Sequence, residues 1–554
     1  MKKNNTPVLQ RALVFQGGGS LGAYEAGVFH ILYHWIKKDL SENENLFDII
    51  AGTSIGGINA SIIINHFLEN KYKGTGSNTD REKLKDTLKY WEGSPEKLLN
   101  FWKEISSYST FYDVILSFIK NTWDFNKNNA SQMFPYYDHF LNSFVSGESL
   151  RRYYSTKKRI VIGEPYVFKP LFYPPFPTII FNKFFDYSPS AWWYQYSNQP
   201  LKKAILDFAP KLETNGNNNN DNDIGGLGTN IDQNEPRLLL VAANIQTANP
   251  ETFDSYDANV VNINHVLASA AIPINYPYME INGNKYWDGG ILSNTPVREL
   301  INCHNTFWTK KYENDLESLL DFKDNNLTFR NWDNYYKIQK EKHTPNLSLT
   351  IVNLHPVVEK EESNIPSLYD YDMTKNREKD IRFHDRTDYD IKIAQDISDY
   401  HDFVDLITQL ASDAIKEIKT KNDEVFNDLR QRFEKIINRR QRTLTRDNQP
   451  RHFYDLIGKK FDIIDVLKIE RKDDEHTISD KIFDFSSDTV LTLIKEGEND
   501  ALNEIIKKIM KNEVKEIALQ KLNAFIEDIE NEKIESEENH YILKLATEKL
   551  VELQ

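Results

Sequence analysis

Ile49-Ile50-Ala51-Gly52-Thr53-Ser54-Ile55-Gly56-Gly57 is the stretch on which the reading of this chain turns. The apolar run Leu46 to Ala51 reads as a buried strand, and Ile55 to Phe67 reads as a helix that follows at once. Between them Gly52-Thr53-Ser54-Ile55-Gly56 has the G-x-S-x-G spacing of a nucleophile elbow. Its glycines permit a sharp turn that lifts the serine Oγ at the strand end. Gly56 and Gly57 allow helix and strand to approach closely behind it. Ser54 also stands at a helix N-terminus, where the peptide dipoles favour negative charge. By itself the stretch is equally a glycine-rich turn without chemistry.

Upstream, Arg11 to Gln16 reads as the first strand. It is followed by Gly17-Gly18-Gly19-Ser20-Leu21-Gly22 and a helix from Ala23 to Lys37. Strand, glycine loop and helix form a nest of backbone amides for an anion. The loop also fits the literal G-x-G-x-x-G dinucleotide pattern, with Asp39 near the distance of a ribose-binding acid. A dinucleotide site has no use for a serine elbow about 35 residues on, whereas acyl transfer requires both a nucleophile and an oxyanion hole.

Downstream, Arg237 to Ala243 is a continuous apolar run and therefore a buried strand. Val260 to Ala271 reads as a helix ended by Pro273, with Ala268-Ser269-Ala270-Ala271 suited to close packing. A short strand, Tyr278 to Ile281, and a turn at Asn282-Gly283-Asn284 lead into Tyr286-Trp287-Asp288-Gly289-Gly290. Asp-Gly is a common turn dipeptide, so Asp288 carries no chemistry on local grounds alone.

Together these stretches resemble the patatin-like phospholipases. The likeness rests on Gly17-Gly18-Gly19-Ser20-Leu21-Gly22, Gly52-Thr53-Ser54-Ile55-Gly56 and Asp288-Gly289-Gly290, in that order, and covers roughly Arg11 to Leu300. Ala268 to Pro273 and Ser293-Asn294-Thr295-Pro296 resemble the family's segments on either side of its aspartate. The resemblance implies a Ser-Asp dyad, with Ser54 as nucleophile and Asp288 as general base. Gly17, Gly18 and Gly19 would supply the oxyanion hole, with Gly22, Gly52, Gly56, Gly289 and Gly290 as supporting motif positions. It implies a serine lipid acyl hydrolase that works through an acyl-enzyme, without metal or cofactor. The implied fold is α/β: a three-layer α/β/α patatin-like fold, its sheet largely parallel, with a helical insertion and a helical C-terminal region. Leu21 departs from the pattern, because the family often has Arg or Lys there. That weakens any preference for a phospholipid head group and leaves neutral acyl esters open.

The dyad is chemically reasonable. A serine hydroxyl needs a positioned base, and burial of a carboxylate raises its basicity. Each backbone donor aimed at an oxyanion is worth about 3–4 kcal/mol. A histidine triad is the alternative inside the same chemistry. His304, His343, His355, His384 and His401 all follow the elbow, and His355, ending the strand Leu347 to Leu354, is the best placed. Two readings from other classes stay open: a non-catalytic lipid-binding protein, and a dinucleotide- or anion-binding protein using the first glycine loop.

Composition bounds the rest. At 554 residues the chain should hold several folding units, and 40% hydrophobic content can fill their cores. A net charge of −15 argues against nucleic acid and against general attraction to an anionic membrane. A peripheral membrane contact would use a local apolar patch. The single cysteine, Cys303, fits a reducing compartment, and neither a signal peptide nor a transmembrane run is read, so the expected location is cytoplasmic.

The expected layout is an acyl hydrolase domain over residues 8–357, with 71–236 as insertion, lid and linker, and a helical region over 358–554. Trp91, Leu98, Phe101, Trp102, Phe111 and Tyr112 mark helices of the insertion. Tyr166 to Tyr196 holds thirteen aromatic residues among prolines, either a packed wall or an apolar mouth. Thr214 to Pro236 reads as a linker. In the C-terminal region Ile393, Ile397, Tyr400, Val404, Ile407, Ala411, Ala414 and Ile418 form a stripe at helical spacing, read as a packing face or a partner surface. Arg377 to Asp390 mixes both charges densely. Three more helices are expected at Asp488–Met510, Val514–Ile529 and Asn539–Leu553.

Overall fold

The computed structural model describes residues 7–41, 44–73, 87–107, 147–170, 195–213, 226–257, 260–317, 326–341, 344–357, 371–419, 421–444, 450–457, 461–472, 477–513, 515–531 and 537–553. Most of the proline- and aromatic-rich segment, the Asn-rich stretch of the linker, Phe111, Tyr112 and His343 lie outside these residues.

The apolar runs become the central strands of one eight-stranded sheet, joined by more polar strands such as Asn249–Asp254 and Asn284–Asp288. In chain order these are β1 (Leu9–Phe15), β2 (Ile49–Thr53), β3 (Arg237–Asn244), β4 (Asn249–Asp254), β5 (Met279–Ile281), β6 (Asn284–Asp288), β7 (Asn346–Asn353) and β8 (Ile463–Glu470). Their order across the sheet is β8-β7-β1-β2-β3-β6-β5, with β4 also paired to β3. β1, β2 and β3 run parallel, with Ala12 opposite Ile49 and Ile49 opposite Arg237. Every residue of β2 and of β3 is buried, as continuous apolar runs require.

The sheet is mixed rather than largely parallel. β4 and β6 are antiparallel to β3, and β5 is antiparallel to β6. For β5 and β6 the reason is local. Asn282 and Gly283 both take positive φ (52° and 79°), the backbone of a two-residue hairpin turn, and a hairpin can only join antiparallel strands. The C-terminal region is helical, as expected, and also contributes β8 to the sheet.

The helices that frame the elbow are α1 (Gly22–Lys37), α2 (Ile55–Tyr72) and α3 (Ser94–Ile105). The expected helix near residue 260 begins later, as α4 (Ile263–Ser269), because the Asn262 side chain caps it by accepting from the Asn264 amide. α5 (Tyr371–Phe383), α6 (Thr387–Lys419) and α7 (Ser487–Asn512) follow.

From Gly22 to His34 every residue of α1 is buried, which an exposed-face helix could not be. α7 covers it. A Cβ at Gly27 would lie 2.0 Å from the Ile494 carbonyl oxygen, and one at Gly497 would lie 2.1 Å from the Tyr24 carbonyl oxygen. Two glycines therefore let these helix backbones touch. Leu98, Phe101 and Trp102 of α3 enter the same core, together with Trp91, Leu493, Leu502, Phe525 and Ile542.

The described chain divides into two compact units. One comprises Ala12–Pro296, Thr350–Asp385 and Leu467–Gln554 and holds this core; the other comprises Met1–Arg11, Val297–Leu349 and Arg386–Val466. The second has its own core around Leu327, Trp332, Tyr335, Phe433 and Ile437. There the stripe on α6 behaves differently from a packing face. Val404 and Ala411 pack against that core while half-buried, but Ile397, Tyr400 and Ile407 are exposed. The inward side carries Ile391, Ser398, Asp405, Ser412 and Ile415 instead. Two of these polar residues meet specific partners: Ser398 Oγ donates to Asp462, and the Tyr336 hydroxyl donates to Asp405 at 3.2 Å. Among the described residues no helix is long and apolar enough to cross a membrane.

Candidate active site

The elbow forms where β2 meets α2. Ser54 has φ 55° and ψ −124°, a backbone that a non-glycine residue adopts only when its surroundings impose it. The surroundings do so by contact. A Cβ on Gly52 would lie 2.4 Å from the carbonyl carbon of Gly56, and one on Gly56 would lie 2.7 Å from the Phe15 carbonyl oxygen. Strand, turn and helix can close this tightly only with glycine at both places. Ser269 of α4 braces the turn, accepting from the Ser54 amide at 2.9 Å and donating to the Val241 carbonyl at 2.7 Å.

Asp288, the last residue of β6, reaches the elbow because β6 lies along β3, the strand next to β2, with Ala242 opposite Asp288. Ser54 Oγ donates to Asp288 Oδ2 at 2.6 Å, across 234 positions of sequence. The other carboxylate oxygen, Oδ1, accepts from the Gly290 amide at 2.7 Å. Ser54 is 7% exposed and Asp288 5%. Burial pushes the Asp288 carboxyl up to about 6, against the opposite pull of the Ser54 hydroxyl and the Gly290 amide. The result is a carboxylate of intermediate basicity in contact with a hydroxyl.

The glycine loop borders the same point. A Cβ on Gly17 would come within 3.2 Å of the Ser54 Cβ. The Gly17 amide donates to the Asn294 carbonyl at 3.2 Å, and Asn294 Nδ2 returns a bond to the Gly17 carbonyl at 3.1 Å. Gly17 is thus engaged in holding the loop. Gly19 has φ +58°, and its outer side packs on the Ile482 carbonyl. Ser20 Oγ donates to the Lys481 carbonyl at 2.7 Å, so the stretch Gly19–Ser20 is covered by protein. Leu21 is buried and Gly22 begins α1.

Among the described residues no histidine is bonded to Ser54 or Asp288. His355 Nδ1 faces Asp380 Oδ1 at 3.1 Å, and burial pushes its pKa down. His304 Nε2 lies 2.8 Å from the Pro345 carbonyl, and His384 Nδ1 lies 2.7 Å from the Ile381 carbonyl. The mixed charges of Arg377–Asp390 are largely spent internally. Lys481 and His355 meet Asp380, Lys468 meets Asp385, and Arg382 meets Glu378.

Reading the sequence alone passes over three residues of this neighbourhood: Gln16, Asn294 as a loop holder, and Ser269 as a brace. A polar side chain closing the apolar strand Ala12–Phe15, directly before three glycines, is the available signal for Gln16.

Among curated proteins none matches the chain. Among solved structures, VipD from Legionella pneumophila is similar at 11% sequence identity and a TM-score of 0.24, covering 98% of this chain and 84% of that one. Residues 13–301, just over half of the 554, match the patatin-like phospholipase family. That span contains the glycine loop, the elbow and the aspartate turn, and the chain belongs to the patatin-like phospholipase family.

Proposed function

We propose that the chain hydrolyses lipid acyl esters with Ser54 as nucleophile and Asp288 as general base. The observation that carries this reading is the 2.6 Å bond between Ser54 Oγ and Asp288 Oδ2 at a positive-φ elbow. Ser54 Oγ attacks the ester carbonyl carbon while its proton passes to Asp288 Oδ2. The tetrahedral oxyanion forms beside the glycine loop. With the Gly17 amide already bonded to Asn294, the donors assigned to it are the Gly18 and Gly19 amides. Collapse breaks the bond to the alcohol oxygen, which leaves with the proton from Asp288. Water then attacks the acyl-Ser54 ester, Asp288 takes the water proton, and the acid departs as Ser54 is restored.

A lipid substrate is supported by the surface next to the dyad. Ile291 and Leu292, which follow the Asp288-Gly289-Gly290 turn, are each close to half exposed. Ile274, on the segment whose Ala271 carbonyl accepts the Asp288 amide, is 68% exposed. The segments 268–279 and 289–297 contain no charged residue. Apolar, uncharged segments beside the nucleophile suit peripheral contact with a neutral lipid surface by a chain of net charge −15.

The test is release of acid from a medium-chain acyl ester and from phosphatidylcholine vesicles by wild type, Ser54→Ala and Asp288→Asn, each checked for folding. The expected result is turnover by wild type and a loss of about 10³-fold or more in both variants. Turnover surviving in Ser54→Ala refutes the nucleophile. Turnover surviving only in Asp288→Asn moves the base elsewhere.

A further inference from the structure

Gln16 immediately precedes the glycine loop and is fully buried. A glutamine amide offers two donors and two acceptor positions, and here all four are used. Its Nε2 donates to Thr295 Oγ1 at 2.8 Å and to the Phe383 carbonyl at 3.2 Å. Its Oε1 accepts from the Leu354 amide at 2.7 Å and from the His355 amide at 2.9 Å. Phe383 is the last residue of α5, and its carbonyl also accepts from Asn294 Nδ2 at 2.8 Å, the group that holds the Gly17 carbonyl. One side chain therefore ties the start of the loop to the aspartate turn and to two segments that lie beyond residue 301, where the family match ends.

A second tether reaches the same segments. Ser20 Oγ is held by the Lys481 carbonyl, Lys481 Nζ lies 2.8 Å from Asp380 on α5, and Asp380 faces His355. The loop is gripped at both ends by residues that a minimal elbow-and-aspartate site does not require. Oxyanion stabilisation depends on amides fixed in place before the reaction, and a misplacement of about 1 Å costs about 10²-fold in rate.

Building on the hydrolase reading above, we propose that Gln16 is the positioning residue of the oxyanion loop, and that the Leu354–His355 and Phe383 backbone it grips completes the active site from outside the family-matched span. Gln16 touches no reacting atom. It acts through the orientation of the Gly18 and Gly19 amides.

The experiment compares full-length wild type, Ser54→Ala, Gln16→Met and Thr295→Val on a soluble acyl ester. It adds inhibition by a trifluoromethyl ketone, whose adduct with a serine Oγ carries an oxyanion. Gln16→Met keeps the side-chain length and removes all four bonds. It is expected to lower kcat by about 10²-fold and to weaken the ketone by a similar factor, with KM within about threefold. A purely structural role would lower the melting temperature and leave the ketone affinity of the folded fraction unchanged; that outcome overturns the proposal, as does unchanged kcat. If Gln16→Met does not fold, Thr295→Val decides, since it removes one acceptor at constant shape. About a fivefold parallel loss in kcat and ketone affinity supports the proposal, and no loss overturns it. Turnover surviving in Ser54→Ala removes the dyad and this inference together. Loss of turnover in Ser54→Ala with full kcat in Gln16→Met and Thr295→Val removes this inference alone.

Discussion

Asp288 is held buried, a condition that costs the fold when its carboxylate is charged and that suits the base proposed above. Burial favours its protonated form and pushes the carboxyl up to about 6 from an ordinary value near 4. In the proposed role of general base it must be ionised, so activity should rise as pH passes through about 6. We expect kcat/KM to fall about tenfold per unit below an apparent pKa near 6, measured as a pH–rate profile on a soluble ester. A limb near 4 would mean a solvated carboxylate and a different site geometry. The stability linkage has the opposite sign. A folded-state pKa above the unfolded one gives stability that is complete below about 4 and is lost as pH rises through about 6, on the order of 3 kcal/mol for this shift. On the proposed mechanism the site is therefore least stable where it would be most active.

Among the elements, the crossing of α1 and α7 sets propensity against packing. Alanine in place of a helical glycine normally stabilises by about 1 kcal/mol. At Gly27 the added Cβ would stand 2.0 Å from the Ile494 carbonyl oxygen, which belongs to backbone and cannot rotate away. Overpacking of that kind typically costs about 1–3 kcal/mol and here must also push the helices apart, so packing wins. Gly27→Ala is expected to lower stability by about 1–3 kcal/mol, read as a fall in the urea midpoint. A rise would show that α7 does not seat on α1 at this point. The helices at Ser487–Asn512, Lys515–Asn531 and Glu537–Leu553 are legible from spacing almost to the residue. The rotation of α6 about its own axis is not. A stripe at helical spacing marks an apolar face, but it cannot say whether that face or a hydrogen-bonded polar one turns inward.

For the whole molecule, the span that identifies the family does not close its core alone: Val352, Leu354, Leu493, Leu502, Phe525 and Ile542, all beyond residue 301, complete it. β1 lies between β7 and β2 in the sheet, and α1 is covered by α7. A chain ended after residue 301 would keep the glycine loop, the elbow and Asp288. It would lose β7, β8 and α7, leaving an open strand edge and an apolar helix face in water. Such a fragment is expected to be insoluble or to show less than about 1% of full-length turnover, by soluble yield and ester assay. A soluble, fully active fragment would show that the later segments are dispensable to the site.

The amino-acid sequence by itself determined what is local. The hairpin ahead of Asp288 rests on a glycine and short-range sterics within a few residues, the glycines around Ser54 permit its sharp turn, and the buried strands β2 and β3 rest on continuous apolar runs. The order of the three glycine-containing motifs was enough to bring the family into view. Tertiary structure decided what depends on long-range closure. Ser54 meets Asp288 only because β6 turns back along β3, and no local pattern encodes that pairing across 234 positions. It also decided that Gly17 is spent on Asn294, that β4 and β6 run against β3, and that Gln16 binds backbone more than 300 residues away. The physical reason is the same throughout. A turn is set by the torsions of its own residues, whereas a buried polar side chain takes whatever partners the closed fold brings to it, and those exist only once distant segments have packed.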